Sequence, residues 1–181
     1  MPKAKTGLTT SEYVVLGLLQ GRAAYGYELQ RHLSGGAGLA RACPIEPAMV
    51  YAVLKSLSGL ELIDGHWDTS QYPPRAVYTA TPEGEAAFER WLRHPVGRMR
   101  EVRSDFLAKL YFALERDAAL ARELAQAQVA ACEEYERRLR DELGGVEEGS
   151  FDAIVLKSKL TAALSTREWI EEWLRESRSS R

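Results

Sequence analysis

The chain has 181 residues, enough for one domain or two small ones with a buried core. Its 24 Lys+Arg against 26 Asp+Glu leave a formal net charge of −2, which argues against a protein that coats polyanions indiscriminately. The two cysteines, Cys43 and Cys132, match neither a disulfide framework nor a zinc motif, so a reduced, cytoplasmic protein is expected. The sequence contains no signal-type apolar stretch and no apolar run long enough to cross a bilayer, so no membrane partner is expected.

The first half of the chain combines short helical patterns with turn signals. Apolar spacing predicts three helices, over residues 9–20, 24–33 and 47–60. Thr9 and Glu12 have the spacing of a capping box, and Pro47 suits a first helical turn. Three glycines within residues 34–38 predict a loop.

A hairpin and a further helix follow. Residues 62–67 and 76–80 are typical of strands, and Pro73-Pro74 suits the tip between them. Thr81 is the predicted N-cap of a helix that ends near residue 92. This order is typical of a winged helix-turn-helix, in which the third helix enters the major groove and the hairpin reaches an adjacent groove.

The second half has no proline after Pro95 and is predicted to be helical. The predicted helices cover residues 103–114, 117–143 with Asp117 as N-cap, and a last segment from Ser150 or Asp152 to 175. A long helix with a narrow apolar stripe needs a partner, which favours a homodimer over a monomeric helical hairpin folded on the first half. The predicted fold class is therefore mainly α with an α+β N-terminal part. Residues 1–95 are predicted to form a winged helix-turn-helix DNA-binding domain, and residues 96–181 an all-α dimerisation domain.

Five short motifs occur in order between residues 10 and 92. They are Leu16-Gly17-Leu18-Leu19, Tyr25-Gly26-Tyr27-Glu28-Leu29, Met49-Val50-Tyr51-Ala52-Val53-Leu54, Leu62-Ile63, and Arg75-Ala76-Val77-Tyr78 followed by Thr81. Together they resemble the PadR-like family of transcriptional regulators. Ala52 stands where that family usually has proline, and Glu61 where it usually has glycine. We therefore expect the turn at Glu61 to differ from a left-handed glycine cap. Residues 42–48 also differ, so the operator sequence does not carry over.

The proposed partner is double-stranded DNA, and the candidate contacts are Tyr25, Ala48, Met49, Tyr51, Lys55 and Arg75. Tyr51 is interpreted as a phosphate contact or as an aromatic residue packed under the hairpin, and Lys55 as a phosphate contact or a solvated charge. Ala48 and Met49 lack hydrogen-bonding side chains, so any sequence reading by them is apolar, for instance with a thymine methyl group.

Two further candidates lie outside the third helix. Arg75 is expected to enter the minor groove or meet phosphate, the alternative being a plain surface arginine. Tyr25, at the start of the second helix, either donates to phosphate or packs in the core. Lys3 and Lys5 are interpreted as a basic arm.

The resemblance also implies a homodimer on a palindromic operator, with half-sites one helical turn apart, and most often a repressor. Some family members release DNA when a phenolic acid or a flat hydrophobic compound binds, so a small-molecule effector is a candidate partner. Trp91, Trp169 and Trp173 are the candidate pocket residues, with core or dimer packing as the alternative. No cofactor and no metal are expected.

Two other classes of function compete with DNA binding. The sequence lacks a phosphate-binding glycine loop, a His-x-x-x-His or Cys-x-x-Cys pair and a Gly-x-Ser-x-Gly motif, which argues against an enzyme. A DNA-silent winged-helix dimeric adaptor is the remaining alternative. It draws support from the charge balance, because residues 1–95 hold nine basic and nine acidic side chains. If this neutral half binds DNA, it should make few phosphate contacts, and its affinity for DNA should depend only weakly on salt concentration.

Overall fold

The computed structural model describes residues 7–70 and 72–179. Two compact units make up the chain. The first runs to Arg93 and includes Leu107–Phe112, and the second comprises His94–Phe106 and Ala113–Arg181. Lys3, Lys5 and the end of the C-terminal tail lie outside the described residues.

The first unit contains most of the predicted elements in the predicted order. Its helices are α1 (Thr10–Leu18), α2 (Gly26–Ser34), α3 (Leu39–Ala42), α4 (Pro47–Gly59) and α5 (Pro82–Arg93), and its strands are β1 (Ala24–Tyr25), β2 (Ile63–Asp68) and β3 (Arg75–Ala80). The strands form an antiparallel sheet in the order β1-β3-β2. The predicted fold class is confirmed. Two elements were not predicted, namely the short helix α3 and the strand β1, whose Tyr25 pairs with Val77 and delays the start of α2 to Gly26.

The predicted capping box of α1 is present and reaches beyond its own helix. Glu12 Oε2 accepts a hydrogen bond of 2.7 Å from the Thr9 N–H, and the Glu12 N–H donates to Thr9 Oγ1 at 3.3 Å. The other carboxylate oxygen, Glu12 Oε1, accepts from Ser56 Oγ on α4 at 2.7 Å. One side chain therefore caps α1 and also fixes the position of α4.

Gly17 allows α1 to lie unusually close to its neighbours. A Cβ at this position would lie 2.5 Å from the ring of Phe112 and 2.6 Å from that of Phe88. Those two rings meet edge to face, with centroids 5.1 Å apart. Any larger residue at position 17 would have to displace this aromatic pair.

The turn after α4 corrects the expectation for Glu61. Glu61 has φ +56°, so it adopts the left-handed conformation that glycine adopts more readily. Its carbonyl accepts a hydrogen bond of 2.9 Å from Thr81 Oγ1, and the Leu62 N–H donates to the Leu57 carbonyl at 3.0 Å. The tertiary bond from Thr81 and the local bond between Leu62 and Leu57 together hold the turn in a shape that the residue type alone disfavours.

The second unit is built on two long helices. A 3₁₀ turn (Met99–Glu101) and a π-helical turn (Val102–Phe106) precede α6 (Leu107–Arg116), whose residues 107–112 belong to the first unit. Helices α7 (Ala118–Gly144) and α8 (Phe151–Ser179) follow. Asp117 accepts from the Ala119 N–H at 3.0 Å, which confirms the predicted N-cap. Ser150 Oγ accepts from the Ala153 N–H at 3.2 Å, so Ser150 is the cap of α8. Of the helices in the described part of the chain, none is long and apolar enough to span a membrane.

Two buried polar side chains organise this second unit. The Gln128 amide on α7 accepts from the Val96 N–H at 2.7 Å and donates to the Val96 carbonyl at 3.1 Å. Glu136, also on α7, accepts from Arg167 Nε on α8 at 2.8 Å. Gln128 thus satisfies both backbone hydrogen-bonding groups of Val96. Glu136 joins the two long helices.

Candidate nucleic-acid interface

Helix α4 has one buried face and one exposed face. Its buried side chains are Val50, Val53, Leu54 and Leu57. The predicted contacts lie on the opposite side, where Met49 is 53% exposed and Tyr51 is 49% exposed, with Ala48 and Lys55 also exposed. The structure therefore brings four of the six predicted DNA contacts onto one open surface.

Tyr51 packs against the start of α2 and is half exposed. A Cβ on Gly26, the first residue of α2, would lie only 3.2 Å from the Tyr51 ring, so the ring packs over the start of α2. Half of the Tyr51 surface nevertheless stays open to solvent. Packing of this kind fixes the direction of the side chain without burying it, which suits a contact residue.

Tyr25 does not present a free hydroxyl. Its OH donates to Asp68 Oδ2, at the end of β2, over 2.7 Å. Asp68 Oδ1 accepts from the Ser70 N–H at 2.9 Å and from Ser70 Oγ at 2.6 Å. The hydrogen bonds from Ser70, followed by that from Tyr25, lower the pKa of Asp68 from 3.8 to about 2, while the bond to Asp68 raises the pKa of Tyr25. The predicted donation from Tyr25 to phosphate therefore competes with an ionised carboxylate.

A second tyrosine holds the other strand of the hairpin. Arg75 lies opposite Asp68 in the β2–β3 register. Its Nη1 donates to the Tyr27 hydroxyl at 3.3 Å, and its guanidinium carbon lies 5.2 Å from the centroid of the Tyr27 ring. The Tyr25 and Tyr27 rings stack with centroids 5.5 Å apart. We call Tyr25, Tyr27, Asp68 and Arg75 the wing latch, because they tie both hairpin strands to the start of α2.

Sequence reasoning missed Tyr27 and Asp68 as parts of this interface. Two signals pointed to them: the alternation of Tyr25 and Tyr27 about Gly26, and the position of Asp68 opposite Arg75 across the predicted hairpin. Two carboxylates offset the positive charge of this surface. Asp68 lies opposite Arg75, and the exposed Glu46 lies just before α4. The local charges therefore agree with the neutral composition of the first half of the chain.

The three tryptophans lie in different surroundings. Trp91, in the first unit, is buried; its ring stacks on Tyr13 with centroids 4.9 Å apart, and Lys109 Nζ lies 5.0 Å from its centroid. Trp169, in the second unit, is half-buried and lies against Phe106 with centroids 5.7 Å apart. Trp173 is also half-buried in the second unit. These contacts favour packing, and the ligand role of the tryptophans stays a prediction.

Comparison with known proteins identifies the family of the chain. The model of the transcriptional regulator PadR-like family matches residues 15–90. A PadR family transcriptional regulator from Eggerthella lenta DSM 2243 is 30% identical, and the match covers 45% of this chain and 67% of that one, with a TM-score of 0.38. Among curated proteins, no significant match is found. The chain belongs to the PadR-like family of transcriptional regulators, which confirms the resemblance drawn from the motifs.

Solved structures also match over nearly the whole chain. Bacillus subtilis PadR in complex with operator DNA is 20% identical, with 93% of this chain and 99% of that one covered and a TM-score of 0.47. The same protein in complex with p-coumaric acid is 21% identical, with 94% and 99% covered and a TM-score of 0.43.

Proposed function

We propose that the protein is a repressor that binds a palindromic operator as a homodimer and is released by a small-molecule effector. The observation that supports this most is the exposed face of α4, where Ala48, Met49, Tyr51 and Lys55 lie together opposite the buried stripe. A helix that is braced on one side and open on the other is what insertion into the major groove requires.

Each residue of this face has a distinct proposed role. Lys55 and Tyr51 contact phosphates and set the register of the helix on the duplex. Ala48 and Met49 contact bases through apolar atoms. Arg75 contacts phosphate or the minor groove from the hairpin, and its bond to Tyr27 holds it in place. Tyr25 orients the hairpin through Asp68, and we propose this role in place of direct phosphate contact.

The proposed dimer uses an exposed apolar surface of the second unit. Phe151 is 77% exposed and Ile154 is 59% exposed near the start of α8. Large apolar side chains at this exposure favour a partner surface. Ile154→Asp should convert the dimer to monomer in analytical ultracentrifugation, while Leu60→Asp, an exposed leucine of the first unit, should leave the dimer intact. A wild-type monomer contradicts this part of the proposal.

Fluorescence anisotropy with the DNA upstream of the protein's own gene tests the function. Wild-type protein should bind this DNA, with affinity falling as salt rises. Lys55→Ala should weaken all bound sequences about tenfold and lower the salt slope by about 1. Lys157→Ala, which removes an exposed lysine on α8, is the control and should bind like wild type. A change of sequence preference in Lys55→Ala would refute the phosphate assignment.

The DNA-silent adaptor remains the second candidate because the first half of the chain is electrically neutral and Glu46 is exposed beside α4. It predicts no binding to any duplex at low salt by a folded dimer. Selection from a random duplex library decides between the two candidates, since an adaptor enriches no sequence.

A further inference from the structure

The second unit contains a groove with a volume of about 1040 Å³, lined by residues 97–100, by Arg103 and by parts of α7 and α8. Five cationic side chains line it: Arg98, Arg100, Arg103, Arg138 and Lys159. Among the described residues that line the groove, none is acidic. A groove of this size is large enough for a drug-sized molecule.

The positive charge of the groove is only partly compensated. Glu101 lies beside the groove, and its Oε1 atom is 3.3 Å from Arg98 Nη1 and 3.6 Å from Arg100 Nε. Two guanidinium groups therefore share one carboxylate. Glu134 lies 3.9 Å from Arg138 and is shared with Arg137. Within the described part of the chain, Arg103 forms no ion pair. The groove therefore keeps an excess of positive charge.

The remaining lining offers apolar contacts and hydroxyl groups. Met99, Tyr135 and Ala162 supply apolar atoms. The Thr161 and Thr166 hydroxyls donate to backbone carbonyls of α8, at 3.0 and 2.8 Å. Ser158 and Ser165, two turns apart on the same helix, form no hydrogen bond within the described residues, so their hydroxyls are available to a ligand. Cations, free hydroxyls and apolar atoms thus share one surface.

We propose that this groove binds an organic anion that carries at least two negative charges, of the class of phosphate monoesters with an aromatic or acyl body. The planar guanidinium group of arginine can donate two parallel hydrogen bonds to two oxygens of one phosphate. A monoanion leaves most of the positive charge uncompensated, and inorganic phosphate leaves the apolar atoms uncovered. The ligand would occupy the groove whether or not the protein binds DNA, and only its role as an effector rests on the proposed function.

Isothermal titration calorimetry on the full-length protein, without DNA, tests the ligand class with three probes. They are 1-naphthyl phosphate, 1-naphthoate and inorganic phosphate. We expect 1-naphthyl phosphate to bind at least tenfold more tightly than either of the others. Equal affinity for 1-naphthoate overturns the requirement for a second charge. Equal affinity for inorganic phosphate reduces the groove to a simple anion site and overturns the organic body.

Matched double variants test the location. Arg138→Gln with Lys159→Gln removes two charges that line the groove. Arg137→Gln with Lys157→Gln removes the same charges from the same helices, at positions that do not line it. The first pair should weaken 1-naphthyl phosphate at least tenfold, and the second less than twofold. Arg103→Gln alone should weaken it several-fold. Equal effects of the two pairs place the ligand elsewhere.

Two further measurements separate the alternatives. If the Arg138/Lys159 pair dissociates the dimer and the wild type binds no probe, the groove is a subunit contact and the proposal fails. Anisotropy with operator DNA then tests regulation. Ligand binding by a protein that binds no DNA refutes the proposed function but not the groove. DNA binding by a protein that binds none of the probes refutes the groove alone.

Discussion

Among the described residues, each unit buries one carboxylate, and the groups that donate hydrogen bonds to it differ. Glu12 in the first unit is 2% exposed and accepts hydrogen bonds from Thr9 and Ser56. Glu136 in the second unit is also 2% exposed, but it accepts from the guanidinium groups of Arg167 and Arg140. Hydrogen bonds and counter-charges both offset the lost hydration of a buried charge. Thr9 and Ser56 donate to the first carboxylate from a backbone N–H and a hydroxyl, whereas guanidinium groups donate to the second.

The difference shows what each carboxylate does. The bonds of Glu12 run from a helix cap to α4, so they position the surface that is proposed to meet DNA. The bonds of Glu136 join α7 to α8, and the Glu136 carboxylate raises the pKa of Arg167. Loss of the first network should therefore impair DNA binding, whereas loss of the second should act on stability.

Glu136→Ala tests the ionic network and should have the largest effect. It leaves the partly buried Arg167 without its main partner, so the free energy of unfolding should fall by about 3 kcal/mol. Urea denaturation followed by circular dichroism measures this. Glu134→Ala is the control. It removes an exposed acid two residues before Glu136 that pairs with Arg137 and Arg138, and it should change the free energy of unfolding by less than about 1 kcal/mol. Equal losses in the two variants would contradict the special role of Glu136.

Ser56→Ala tests the hydrogen-bonded network. It removes one donor to a buried carboxylate, which should lower the free energy of unfolding by about 2 kcal/mol. Because Ser56 lies on α4, operator affinity of the folded variant should also fall. Ser58→Ala, an exposed serine on the same helix, is the control and should change neither quantity. Stability loss with unchanged DNA affinity would show that Glu12 does not position α4.

The same contrast explains what could be predicted from the sequence. Caps and apolar periodicity are local, so the capping box at Thr9, the N-cap at Asp117 and the open face of α4 were all predictable. The latch contact between Tyr25 and Asp68 joins residues 43 positions apart and depends on the register of the hairpin. The cationic groove needs three separate segments, whose side chains come together only in the packed unit.

Asp68 allows a test of the wing latch by pH. Its pKa is depressed to about 2, so the latch contributes its full share of the folding stability above about pH 4. This contribution is lost as the pH falls from about 4 to about 2. The carboxyl carbon of Asp68, followed by NMR, should titrate near 2. Tyr25→Phe should raise this midpoint part of the way towards 3.8, because the larger contribution from Ser70 remains. Tyr27→Phe is the control, and an equal shift there would contradict the direct bond.

Glu61→Gly should have the smallest effect, and it tests whether tertiary hydrogen bonds override a local preference in the first unit. The left-handed conformation at φ +56° disfavours glutamate by about 1–2 kcal/mol, whereas glycine loses about 0.5–1 kcal/mol more backbone entropy on folding. The variant should therefore be more stable than wild type by about 0.5 kcal/mol in urea denaturation. Leu60→Gly places glycine one residue earlier, at φ −96°, where it relieves no strain and should destabilise by about 1 kcal/mol. If both variants lose stability, the Glu61 side chain contributes more than its backbone conformation costs, and the turn is held by that side chain as well as by Thr81.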